Sequence, residues 1–168
     1  MIDLAPYAHC VCKRMNNKYD LCDGELGFSE MGKKVKFTVA KPNEEAVAMV
    51  LDGCLFKDTN LRCDGLFLYR SPHKKAAFLI ELKGAGDIAH AFKQLAHVKN
   101  SRPEYKEIVE RLRFSGGPGK VFEKGFIVSS GMLTRPQLRQ LENQHGIRVA
   151  AILHSEPTTP VPDLRDYL

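Results

Sequence analysis

Tryptophan is absent from this chain, and no apolar stretch approaches the roughly 18 residues needed to span a bilayer. The second absence excludes a membrane-spanning helix and leaves no membrane partner to expect. The first residues, Met1 to Pro6, lack a basic region followed by an apolar one, so the expectation is a cytoplasmic protein. Cysteine is also sparse. Five cysteines, an odd number without an evident paired framework, suit a reducing compartment better than a disulfide scaffold. Acidic residues are in deficit, 20 against 25 Lys and Arg, giving a formal charge of +5 and a pI near 9.0. That excess favours a polyanionic partner only weakly.

What is present reads as an ordinary globular composition, 43% hydrophobic and 27% charged over 168 residues. A chain of this length buries a core without help from disulfides or metal. One domain over residues 1–168 is expected, with a core at about 40–155, an irregular segment at 1–38 and an extended tail at 157–168 carrying three prolines. His9, Cys10, Cys12 and Cys22 are four soft groups near the start. Their spacing lacks the paired pattern of a zinc finger or ribbon, and reduced cysteines are the preferred reading, with Cys54 and Cys63 as core thiols.

Along the chain, turn signals stand at Asn16-Asn17, Asp23-Gly24 and Gly32, and Lys33 to Val39 alternates as a short strand. Residues 44–56 fit either a helix capped by Asn43 or a strand entering a hairpin. Strands are predicted over 61–69 and 76–83, paired antiparallel across the breaker Ser71-Pro72-His73. A helix capped by Asp87 follows, with Ile88, Ala91, Phe92, Leu95 and Val98 on its apolar face. His90, Lys93, Gln94 and His97 occupy its other face. A second helix begins after Arg102-Pro103 and breaks at Ser115 to Gly119, a glycine-rich loop without the ending of a nucleotide P-loop and read as a connector. A strand at Val121 to Ser129, a helix from Thr134 to about His145 closed by Gly146, and a strand at Ile147 to Leu153 complete an α/β order. The fold expected is a mixed β-sheet core flanked by helices.

The chemistry concentrates at Asp64, Glu81 and Lys83. Side chains two apart on a strand share a face, so Glu81 and Lys83 point the same way at the end of the apolar run Ala76 to Ile80. The hairpin returns Asp64 beside Glu81. Two acids at a sheet edge form an incomplete oxygen cage of the kind Mg²⁺ prefers, and a neighbouring lysine is suited to orient a water or offset phosphate charge. The bland alternative is a surface ion pair worth about 0–1 kcal/mol.

At these residues the chain resembles the PD-(D/E)XK nuclease superfamily, the restriction-endonuclease-like fold shared with Holliday junction resolvases. Asp64 is similar to its metal-binding aspartate, and Glu81-Leu82-Lys83 to its E-x-K element. The helix bearing Gln94 stands where a following helix stands in several branches. The resemblance covers roughly residues 44–99. Cys63 rather than proline precedes Asp64, and Val98 stands where a tyrosine four residues after Gln94 would mark the RecB-like branch.

The resemblance implies a Mg²⁺-dependent nuclease, with Mn²⁺ as substitute metal, hydrolysing phosphodiester bonds in DNA. Asp64, Glu81 and the Leu82 carbonyl would hold the metal. Lys83 would act on the attacking water, and Gln94 would join the catalytic group. A third acid is open between Glu44, if its segment is helical, and Asp52, if it is a strand. The alternatives are an inactive nucleic-acid-binding or assembly subunit with the same fold, and an enzyme acting on RNA. Two scissile strands make a homodimer a reasonable expectation. Lys74, Lys75, Lys93, Lys99, Arg102, Lys106, Arg111, Arg113, Lys120 and Lys124 are placed around the site to hold the backbone.

Overall fold

The structure, a computed structural model, describes residues 1–14 and 19–168; the Asn16-Asn17 turn lies outside the described residues. Two 3-10 turns, Ala5–Cys10 and Cys12–Arg14, precede an antiparallel hairpin of β1 (Gly27–Glu30) and β2 (Lys33–Lys36). A five-stranded sheet follows in the order β3 (Glu45–Val50), β4 (Gly65–Arg70), β5 (Lys75–Lys83), β6 (Val121–Ser129), β7 (Val149–His154). The first three strands pair antiparallel, whereas β5–β6 and β6–β7 are parallel. Helices α1 (Ile88–Ser101) and α2 (Pro103–Phe114) connect β5 to β6, and α3 (Arg135–His145) connects β6 to β7. The α/β reading, a mixed sheet flanked by helices, is therefore the architecture of the molecule.

Strand β5 is the axis of the sheet. Eight of its nine residues are buried, the environment in which a strand covered on both faces carries a near-continuous apolar run. On one face Leu95 of α1 packs over Gly125 of β6, 3.5 Å from where a Cβ would stand. The next residue, Phe126, points to the other face and meets Phe78 and Tyr167 edge-on at 5.1 and 5.0 Å. An aromatic layer continues there through Phe37, Phe67 and Phe28, of which Phe28 lies on β1 and Phe37 directly after β2. Gly65 is required by this layer, because a Cβ on it would stand 2.5 Å from the Phe28 ring.

Both chain ends join the core. Ile2, Leu4 and Cys10 are buried at one end and Leu164 at the other. The tail was expected to run extended over the surface; instead it bridges to Lys36 through Asp163 and ends in a 3-10 turn at Leu164–Tyr167. Arg165 binds both oxygens of Glu44 at 2.7 and 2.9 Å, and Lys124 Nζ donates to the Tyr167 carbonyl at 2.6 Å. The segment at 1–38 likewise holds two 3-10 turns and the β1–β2 hairpin, with β1 missed by the strand pattern. Residues 45–50 are strand, which removes the helical reading.

The cysteine reading is corrected. Cys10 is joined to Cys54 and Cys12 to Cys22, and Cys63 is the free cysteine, fully buried. His9 lies beside Cys10 and Cys54, their possible ligand atoms within 4.8 Å of one another, yet those two sulfurs bond each other and the four-ligand set with Cys12 and Cys22 is divided between two disulfides. Spacing hid this, since Cys10 and Cys54 are 44 residues apart and meet only when the 3-10 turn packs on the end of β3. Among the described residues no helix is long and apolar enough to cross a membrane.

Candidate functional site

Asp64 and Glu81 stand opposite each other where β4 begins and β5 ends. The ladder pairs Gly65 with Ile80, and Asp64 N extends it by donating to the Ile80 carbonyl at 3.1 Å. Across that step the side chains interlock. Leu82 N donates to Asp64 Oδ2 at 2.7 Å, and Asp64 N donates to Glu81 Oε2 at 3.0 Å. Lys83 Nζ lies 3.3 Å from Glu81 Oε1. Leu82 thus meets the acids through its amide N–H. None of these contacts uses Asp64 Oδ1.

The pair is held out of water, with Asp64 8% and Glu81 2% exposed. Burial raises the Asp64 carboxyl well above the usual range; the Leu82 amide opposes this, and the charges of Glu30 and Asp52 add to it. Burial and then the Asp64 charge raise Glu81 in the same direction, against the attraction of Lys83. Two buried carboxyls of this kind favour sharing protons over carrying two charges, unless a cation neutralises them. The donors are hard oxygens of the type divalent cations take, and three of the four are already engaged by Leu82 N, Asp64 N and Lys83.

The third acid divides cleanly. Glu44 precedes β3, whose start pairs with Arg70 at the far end of β4, so it stands a strand's length from Asp64. The Arg165 guanidinium also holds its carboxyl well below the usual range. Asp52 lies just past β3, its N–H directed to the Asp64 carbonyl at 3.3 Å, and its carboxylate is paired with Arg62 at 2.6 Å. Glu30, at the end of β1, also acts on Asp64 and was not singled out from sequence. No periodicity flags it, because the hairpin that carries it lies outside the five-stranded sheet.

Gln94 reaches the site indirectly. Its Nε2 donates to the Arg62 carbonyl at 2.9 Å, two residues before Asp64, while its Oε1 is buried without a hydrogen-bond partner among the described residues. It is a positioning residue for the segment that carries Asp64. Arg102, at the end of α1, does comparable work on the residues just before Arg62. Its guanidinium forks onto Asp58 at 2.5 and 2.9 Å, donates to the Leu61 carbonyl and lies 4.3 Å from the Phe56 ring centre. Cys63 adjoins the acids, and burial pushes its thiol up, which leaves it unreactive.

The basic residues are placed differently from the expectation. Arg102 is buried, Arg111 pairs with Glu107 and Asp3, and Arg113 pairs with Glu110. Lys75 opens β5, so its eight-residue separation from Lys83 sets it about 26 Å away along the strand. His90 is exposed and His97 half-buried on α1. No family model matches the chain, and no curated protein or solved structure matches it either.

Proposed function

We propose that the chain is a metal-dependent nuclease of the PD-(D/E)XK kind that hydrolyses phosphodiester bonds in DNA. The observation that carries this reading is the convergence of Asp64, Glu81 and Lys83 at the end of a buried central strand. A surface ion pair requires no such burial. Asp64 and Glu81 would hold a divalent cation, Mg²⁺ or Mn²⁺ in its place, which supplies the charge that lowers the pKa of a water and steadies the leaving oxygen. Lys83, already paired on one side with Glu81, is placed to orient that water and offset charge on the phosphate. Gln94 holds the Arg62–Asp64 segment in register. Glu30 and Asp52 are the further acids that act on Asp64.

Plasmid nicking with Mg²⁺ tests it on duplex, branched and single-stranded DNA, with RNA alongside. Wild-type cleavage lost in Asp64→Asn is the expected result; equal inactivity of both proteins on all substrates overturns it. The burial of the acid pair favours a second reading, a nucleic-acid-binding or assembly subunit in which the acids are structural. Calorimetric Mn²⁺ titration separates the two: metal binding lost in Glu81→Gln supports the enzyme, and salt-sensitive, metal-independent DNA binding supports the subunit. A homodimer belongs to the same proposal, tested by equilibrium sedimentation with and without DNA. A cytoplasmic setting is a further proposal, and the two disulfides weigh against it.

A further inference from the structure

The other end of the β4–β5 hairpin forms a cleft of about 750 Å³ against the connection from α2 to β6. Arg70, His73, Lys74, Lys75 and Lys120 line it, together with the glycine loop Ser115 to Gly119, and among the described residues no acidic side chain does. Its charge is built into the strand pairing. Arg70 and Lys75 are direct cross-strand partners, and like charges so placed are unfavourable unless something compensates.

Compensation is partial. Arg70 is paired with Glu45 on the neighbouring strand at 3.2 Å. Lys75 is 8% exposed and donates to the carbonyls of Arg113 and Gly117 at 2.6 and 2.5 Å, neutral acceptors that leave its charge unbalanced. Burial and then Arg70 lower its pKa, as expected for a buried cation beside another cation. The glycine loop is moulded to these two residues. Gly116 and Gly117 have φ of +70° and +104°, and a Cβ on Gly116 would collide with the Arg70 guanidinium. At the mouth, Lys74 and Lys120 approach the Phe122 ring at 5.7 and 5.2 Å.

We propose that this cleft is a phosphate-binding site, separate from the acid pair, in which Lys74, Lys75 and Lys120 receive a phosphate ester or diphosphate. Its ligand chemistry is a terminal phosphate or diphosphate, which a free nucleoside diphosphate and the phosphorylated end of a strand both carry. The glycine loop permits close approach, and the unbalanced Lys75 provides the charge at the floor.

Isothermal titration with pyrophosphate at fixed ionic strength tests the site. Saturable wild-type binding is expected. Lys74→Ala/Lys120→Ala, at the mouth and outside the core, should weaken it about tenfold or more, the scale of losing charge-assisted hydrogen bonds. Gly119→Leu should abolish it: Gly119 has no positive φ, and its Cβ would enter the cleft 3.6 Å from Lys75 Nζ. Asp64→Asn should bind as wild type does, so loss of nuclease activity leaves this result standing. Absence of wild-type binding, or wild-type affinity in both cleft variants, overturns the proposal. Titration with ADP and with 5′-phosphorylated against unphosphorylated oligonucleotide then distinguishes a free nucleotide from a strand end.

Discussion

Asp64→Asn should stabilise the metal-free protein at neutral and alkaline pH. In the folded chain Asp64 and Glu81 are both withdrawn from water, and burial holds both carboxyls above their usual pKa. The folded protein therefore keeps protons that the unfolded chain has already released. Stability contributed at acid pH is lost as pH climbs from the unfolded value, about 4, through the raised folded values. Each pKa unit of upward displacement costs about 1.4 kcal/mol once the group is ionised, and burial beside a like charge displaces a carboxyl by roughly one to three units. Asparagine removes that cost and still offers an oxygen to Leu82 N, giving up about 1 kcal/mol because the hydrogen bond is no longer charge-assisted. Lys83 keeps its partner, since it pairs with Glu81. A net gain of about 0.5–3 kcal/mol remains, or roughly 1–12 °C in Tm for a domain of this size. Differential scanning calorimetry in EDTA from pH 4 to 9, without reductant, measures it. The difference should vanish near pH 4 and widen upward, and Mg²⁺ should raise the wild-type Tm at pH 8 but not that of the variant. A variant less stable than wild type at pH 8 in EDTA, or a difference independent of pH, would refute the reasoning.

Thiol titration of unreduced protein should find one free thiol, Cys63, and only after unfolding; five thiols in protein kept from oxidants would sink the disulfide assignment. Gly65→Ala forces a methyl against the Phe28 ring and should cost about 1–3 kcal/mol in urea unfolding, with partial recovery in Phe28→Leu/Gly65→Ala. Gln94→Ala removes the tether on the Arg62 carbonyl, worth about 1 kcal/mol, so nicking should slow roughly fivefold with an unchanged circular dichroism spectrum. Unaltered nicking would show that the tether does not position Asp64.

The convergence of Asp64, Glu81 and Lys83 was legible because it rests on local rules. A period of two fixes Glu81 and Lys83 on one face, and a short hairpin fixes the register that returns Asp64. Helices α1, α2 and α3 were legible for the same reason, each carrying its 3.6-residue stripe or cap, as in the Thr134–Gln137 capping box and the left-handed Gly146. Asp87 precedes its helix as expected, though its side chain makes no capping hydrogen bond. Residues 44–56 stayed ambiguous because a short apolar run suits both states, and pairing with β4 settled it as strand.

By itself, then, the sequence determined the strands and helices of the mixed sheet, and the acid pair with its lysine, through local periodicity and one short hairpin. Tertiary structure alone decided which charges serve that pair. It placed Asp52 and Glu30 near Asp64, removed Glu44 to Arg165, and turned Gln94 and Arg102 into supports. It also joined Cys10 to Cys54 and gathered Arg70, Lys75 and the glycine loop into one cleft. Apart from Asp52, each of these joins segments tens of residues apart. Such contacts depend on how layers pack, and no local periodicity encodes that.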